Sequence, residues 1–248
     1  MTQILNRAIE NTELSDDQIG QLFEITKKIG SDHYMAQVLI KVLEQRELNN
    51  YNLNLLLENT EKIGSDHYKT DVLLTALKLP NLSPNNYRSI IQTLNDVSSD
   101  HHLSTIFYEL LNQNLHSGAL SDLLHMAGET ISSDHFLSGI LKRTIQTQNM
   151  EGDNFTVFLD ALETVNSDSY ATAVISQLAT INLTNTQLIN LFQAMDYINS
   201  DSYLSSTLIE FAHRVNNAGD SVKQAYRNAC KSISSDSYYR QATNAIDN

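Results

Sequence analysis

Two prolines and eight glycines in 248 residues are too few for a chain built on hairpins and tight turns. One cysteine, Cys230, excludes a disulfide framework. Tryptophan is absent, and charged residues make up only 18% of the chain, below the usual level of about a quarter. Basic residues are outnumbered sixteen to twenty-nine, for a net charge of −13. That balance argues against a nucleic-acid binder, which needs Lys and Arg to neutralise phosphates. No apolar run approaches the ~18 residues of a membrane span, so no membrane insertion by this chain is expected. The opening MTQILNRAIENTELSDDQ lacks the order and cleavage site of a signal peptide. A cytoplasmic location is expected if the chain is complete. Also missing are a Gly-rich phosphate loop, Gly-x-Ser-x-Gly and Cys-x-x-Cys, so no enzyme activity and no cofactor are expected.

What is present is a repeat, the first feature to test for. Ile-Gly-Ser-Asp-His-Tyr runs from Ile29 to Tyr34 and again from Ile63 to Tyr68. Degenerate copies begin at Val97, Ile131, Val165, Ile198 and Ile233. The shared serines are Ser31, Ser65, Ser99, Ser133, Ser167, Ser200 and Ser235, spaced 34, 34, 34, 34, 33 and 35 residues apart. Each is followed by an aspartate: Asp32, Asp66, Asp100, Asp134, Asp168, Asp201 and Asp236. Apolar residues before the motif, such as Phe155, Phe158, Leu159, Leu162 and Val165, fall on one helical face. So do those after it, such as Tyr68, Val72, Leu73, Ala76 and Leu77. Each unit therefore reads as a helix pair, A before the motif and B after it.

The Ser-Asp pair sits at the start of helix B, where either residue can cap the free N–H groups. In both cases a carboxylate stands at the positive end of the B dipole. The Gly, Ser or Asn before the pair suits the end of helix A. A lone pair of helices cannot bury its apolar face, but stacked pairs can. The expected architecture is all-α: a right-handed α-solenoid of about seven 34-residue repeats plus an N-terminal half-repeat, in a single domain over residues 1–248. In the fourth and seventh repeats the apolar face reaches Ile131 and Ile233 one residue late, which predicts a bulge or a frayed end. The segment Ile4 to Glu10 reads as the tail of a B helix. It is either a cap or the trace of a longer array.

The length matches a tetratricopeptide unit, but the Trp, Leu-Gly, Tyr, Ala and Pro pattern of that family is absent. The stacking resembles the broader HEAT or armadillo-like class. The phrase Ile-x-Ser-Asp-x-Tyr followed by Val-Leu is similar to short helical repeats of bacterial proteins, some of which accompany antirepressor-type, BlaR-like metallopeptidases. The resemblance covers about Ser15 to Ile246. It implies an accessory sensing or interaction region. The His-Glu-x-x-His peptidase signature is absent, so no active site carries over.

Several side-chain rows invite a functional reading. The seven aspartates could form a cation ladder, but helix capping explains a carboxylate that repeats with the fold. His33, His67, His101 and His135 share one slot, which Ser169, Ser202 and Ser237 fill later. Packed helices lie roughly 8–10 Å apart, a long reach for two ligands on one ion with ~2.1 Å bonds. No metal ligand is therefore assigned. Tyr34, Tyr68, Phe136, Tyr170, Tyr203 and Tyr238 are expected in the core with their polar ends at the rim. His102 reads as a core substitute for that aromatic, His125 as semi-buried, His116 and His213 as surface, and Cys230 as a small buried hydrophobe. Ala36, Thr70, Ser104, Ser138, Thr172 and Ser205 read as exposed small residues of helix B, allowing close B-to-B packing or leaving a smooth inner wall.

Charge is unevenly spread. Residues 89–213 hold fourteen acidic side chains and two basic ones, Lys142 and Arg143. That stretch either keeps the array soluble or steers a basic partner onto it. The sequence thus points to a non-enzymatic protein-interaction or scaffold module binding a protein or peptide. Candidate contacts are Asp160, Glu163 and Asp196 in the acidic stretch, and Leu103, Leu137 and Leu204 on the inner wall of the B helices. The alternative is a sensory accessory module that binds metal or responds to pH through the His slots.

Overall fold

The computed structural model describes residues 2–11 and 13–247, and among them no strand occurs. A B-type half-repeat, α1 (Thr2–Asn11), comes first. The A/B pairs follow as α2 (Asp16–Thr26) with α3 (Asp32–Gln45), α4 (Asn50–Glu61) with α5 (Asp66–Ala76), and α6 (Pro84–Gln92) with α7 (Asp100–Leu111). Next come α8 (Ser117–Thr130) with α9 (Asp134–Thr147) and α10 (Asp153–Glu163) with α11 (Asp168–Leu178). The last are α12 (Asn185–Gln193) with α13 (Asp201–Asn216) and α14 (Asp220–Cys230) with α15 (Asp236–Asp247). The chain divides into two compact units, 1–123 and 124–248, with the division inside α8. Each unit is an α-solenoid segment. In unit 1, α1, α3, α5 and α7 form one row and α2, α4 and α6 the other. In unit 2, α9, α11, α13 and α15 pack in sequence, as do α10, α12 and α14.

The core between the rows is the apolar stripe of both helices. Leu56, Val72, Leu73, Ile90, Phe107, Phe158, Val174, Leu191 and Phe211 are all fully buried. Burying a side chain of this size contributes about 1.5–3 kcal/mol. The motif's Ile or Val is buried in every copy, from Ile29 to Ile233. Its N–H donates to the carbonyl three residues earlier, as from Ile63 to Thr60 and from Val165 to Leu162, except in the fourth copy, where Ile131 reaches back four residues to Ala127. This bond closes each A helix, so glycine is not needed in a left-handed cap. Gly152 alone among the described glycines has positive φ, at 60°.

Four A helices, α2, α4, α6 and α12, begin with local side-chain capping. Ser15, Ser83 and Thr184 form reciprocal boxes with Gln18, Asn86 and Gln187, and Pro84 occupies the first turn of α6. The A helices of the third and sixth repeats tighten into single 3₁₀ turns, Thr93–Asp96 and Ala194–Tyr197. Of the bulge or frayed end expected in the fourth and seventh repeats, no bulge forms. Helix α8 runs unbroken to Thr130, and α14 ends in a turn closed by successive i→i+3 bonds.

Small residues of helix B are not exposed, contrary to the sequence reading. Ala36, Thr70, Ser104, Ser138, Thr172 and Ser205 are at most 5% exposed. Their size permits close packing of neighbouring B helices; Ser205 Oγ donates to the Tyr238 carbonyl of the next one at 3.0 Å. Cys230 is buried as expected.

Candidate interaction surface at the A–B turns

Serine occupies the N-cap position of helix B, but its side chain makes no cap bond at Ser31, Ser65, Ser99, Ser133 or Ser167. Ser200 is the exception, accepting from the Tyr203 N–H at 3.5 Å. Nothing in the structure explains why serine rather than another small residue recurs there. The aspartate does something else. Standing in the first turn of helix B, it reaches the turn of the following repeat. Asp32 accepts from the Ser65 N–H at 2.9 Å. Asp66 takes Ser98 and Ser99, Asp134 takes Asn166 and Ser167, and Asp168 takes Asn199 and Ser200. Asp201 takes Ser234 and Ser235. Each is a charge-assisted bond from backbone N–H groups of the A–B turn to the carboxylate. These aspartates clamp one repeat to the next.

One residue further on, the side chains turn outward. In unit 1 the rings of Tyr34, His33, Tyr68, His67, His102 and His101 form a continuous ribbon. Successive centroids are 5.2, 5.2, 5.1, 6.2 and 5.5 Å apart. In unit 2, His135 contacts Phe136 and Tyr170 in the same way. The aromatic slot is not core. Tyr34 is 51% exposed, and Tyr170, Tyr203 and Tyr238 are exposed too. At the first turn of helix B the side chain tilts toward the A–B turn, away from the neighbouring row. His125 is exposed rather than semi-buried, as His116 and His213 are, and His102 is half-buried within the ribbon. Among the described residues no three His, Cys, Asp or Glu side chains converge as a metal ion would need.

The two sets of candidate contacts separate. Leu103, Leu137 and Leu204 are 1% exposed and belong to the core, because the residue after the aromatic points between the helix rows. They cannot meet a partner. In the same slot of the second repeat stands Lys69, only 2% exposed. Asp160, Glu163 and Asp196 are all exposed, and the fold brings them together. Burial, then the neighbouring charges of Asp160 and Asp196, hold the Glu163 carboxyl above the ordinary glutamate range. Beside them the Tyr197 hydroxyl is buried without a hydrogen-bond partner. Burial first, then Glu163 and Asp168, push its pKa upward. Glu163 closes α10, Asp196 lies in the 3₁₀ turn after α12, and Glu129 is in the last turn of α8. Those ends carry no basic residue in their last turns. A carboxylate at the negative end of a helix is unfavourable by about 0.3–1 kcal/mol. Helix stability therefore does not account for these placements.

No family model matches the chain, and no curated protein does. A solved chain from "Computational Design of Self-Assembling Cyclic Protein Homooligomers" aligns over 99% of this chain and 87% of its own, at 12% identity. Its TM-score of 0.18 is too low to carry an argument. No described helix is long and apolar enough to cross a membrane.

Proposed function

We propose that this chain is a non-enzymatic interaction array and that the acidic A–B turns of unit 2 receive a basic protein or peptide. The observation that supports this reading most is the convergence of Asp160, Glu163 and Asp196 at helix ends, where they repel one another and oppose the helix dipoles. Folding gains nothing from that arrangement, whereas a partner bearing Lys or Arg would neutralise it. Exposed Tyr170 and Tyr203 flank the same turns and offer ring faces to cationic groups. This role accords with the accessory region that the motif's resemblance implies.

The test is capture of partners from the source cell on the native chain and on a variant with Asp160, Glu163 and Asp196 changed to Lys. A true partner should be retained only by the native chain. Its association should slow by roughly tenfold in the variant, and also as salt rises toward physiological strength, where the Debye length is ~8 Å. An unchanged association rate under both treatments would overturn the proposal.

A further inference from the structure

Single exposed rings are ordinary, but a row of them held in register asks for a reason. Phe136, Tyr170, Tyr203 and Tyr238 fill one slot in the four repeats of unit 2. The three tyrosines are 39, 43 and 38% exposed, and Phe136 is half-buried. The next slot makes the core contact: Leu137, Ala171 and Leu204 are at most 1% exposed. Packing therefore does not call for the ring.

A second row runs with the first. The residue two places before the buried Ile or Val of the motif is Glu129, Glu163 and Asp196 in the fourth, fifth and sixth repeats, and all three are exposed. In unit 1 the same place holds Lys27, Glu61 and Asn95. Glu163 stands near the start of α11, because it and Asp168 both act on the Tyr197 hydroxyl. Asp168 is two residues from Tyr170. Rings and acids thus line the A–B turns as two rows, each with one member per repeat.

The interval selects the backbone of a ligand. Helices α9, α11, α13 and α15 pack in sequence. His135 lies 5.3 Å from the Phe136 ring and 6.1 Å from the Tyr170 ring, so it bridges two successive slots. Packed helices stand roughly 8–10 Å apart. A polyproline II helix returns to the same face every third residue, after about 9.3 Å. A strand returns after about 6.8 Å and an α-helix, over seven residues, after about 10.5 Å, both outside that interval. Proline rings pack on aromatic faces, and tyrosine hydroxyls can donate to carbonyls that this backbone leaves without internal partners. We infer that unit 2 docks a basic, proline-rich segment of a partner protein in the polyproline II conformation. A proline of each triplet lies on a ring, and a Lys or Arg of each triplet faces the acidic row. This rests on the reading of unit 2 as the receiver of a basic partner, and it gives that partner a backbone and a three-residue period.

The full chain is titrated by calorimetry with a peptide of four Pro-Pro-Lys triplets. One control has four Gly-Gly-Lys triplets, which keep charge and period without the preformed backbone. The other is the proline peptide with its lysines gathered at one end, which keeps composition and loses the period. Each control should bind about tenfold more weakly. Tyr170→Ala together with Tyr203→Ala should weaken the triplet peptide by a similar factor, with melting unchanged because both rings are exposed. No binding by the triplet peptide, equal binding by either control, or unchanged affinity in the tyrosine variant would each overturn the inference. The peptide comparisons use only the native chain, so they decide the matter even if the tyrosine variant melts early. If the controls bind equally but all peptides weaken on the chain with Asp160, Glu163 and Asp196 changed to Lys, only this inference falls. If the triplet peptide binds that chain as tightly as the native one, the reading of the acidic turns falls with it.

Discussion

Two polar side chains stand one residue apart at the start of most B helices, and the fold treats them in opposite ways. The aspartate turns toward the next repeat and accepts its backbone N–H groups, as Asp168 does from Asn199 and Ser200. The following residue turns outward and is His in four repeats and Ser in three. Both rows have the same period, so repetition alone does not reveal which is required. What distinguishes them is the bonding: one row closes open hydrogen-bonding groups of the neighbour, and the other covers surface.

The comparison is tested most strongly at Asp168. Asp168→Ala removes two charge-assisted bonds, at 3.2 and 2.7 Å, and the favourable charge at the start of α11. We expect a loss of about 2–3 kcal/mol in urea unfolding. Asp168→Asn, which keeps one acceptor oxygen, should lose less. A change under about 0.5 kcal/mol in the alanine variant would show that the clamp contributes nothing beyond an ordinary surface site.

The architecture was legible in the sequence because the apolar periodicity of Phe155, Phe158, Leu159 and Leu162 can be satisfied only by a buried helix face. The carboxylate of Asp32 was legible as a helix-end group, but not its partner. The bond to Ser65 spans one whole repeat, and only packing shows that the B-helix start of one repeat faces the turn of the next. The same limit misplaced the aromatic slot. Tyr34 and Leu103 both look apolar in sequence, yet one is 51% and the other 1% exposed. They occupy adjacent slots on a helix that turns ~100° per residue. Asp160, Glu163 and Asp196 were marked by charge alone, and their convergence required the A helices to stack.

A third row, the carboxylates ending the A helices, should respond weakly and with a definite sign. Glu163 is held above the ordinary glutamate range by burial and by Asp160 and Asp196. An acid raised in the folded state favours folding while protonated. That contribution is fully present below the ordinary glutamate value of ~4.3 and is lost as pH rises through the raised folded value. Glu163→Gln removes the repulsion at every pH. Its melting temperature should exceed the native one slightly at pH 7, and the gap should close as pH falls to about 4 and as salt rises. A gap that stays constant across that range would mean that the crowded charges do not act through repulsion.

The smallest effect is expected in the ring row, and it tests the contrast with the clamps most directly. His67 contacts Tyr68 and His102 and lies 3.7 Å from Asp71, yet its side chain is 64% exposed. Contacts made in water replace equally good contacts with water, so their loss should barely register. The chain itself places serine in this slot at three later repeats without changing the turn. His67→Ser should therefore alter stability by less than about 0.5 kcal/mol in the same unfolding experiment. Asp66, the next residue back, would still hold Ser98 and Ser99 at 3.2 and 3.0 Å. A loss above about 1 kcal/mol would make the ribbon a second structural tie between repeats. The difference between the rows would then be one of degree, and the rings of unit 1 would have to be counted with the clamps as part of what holds the array together.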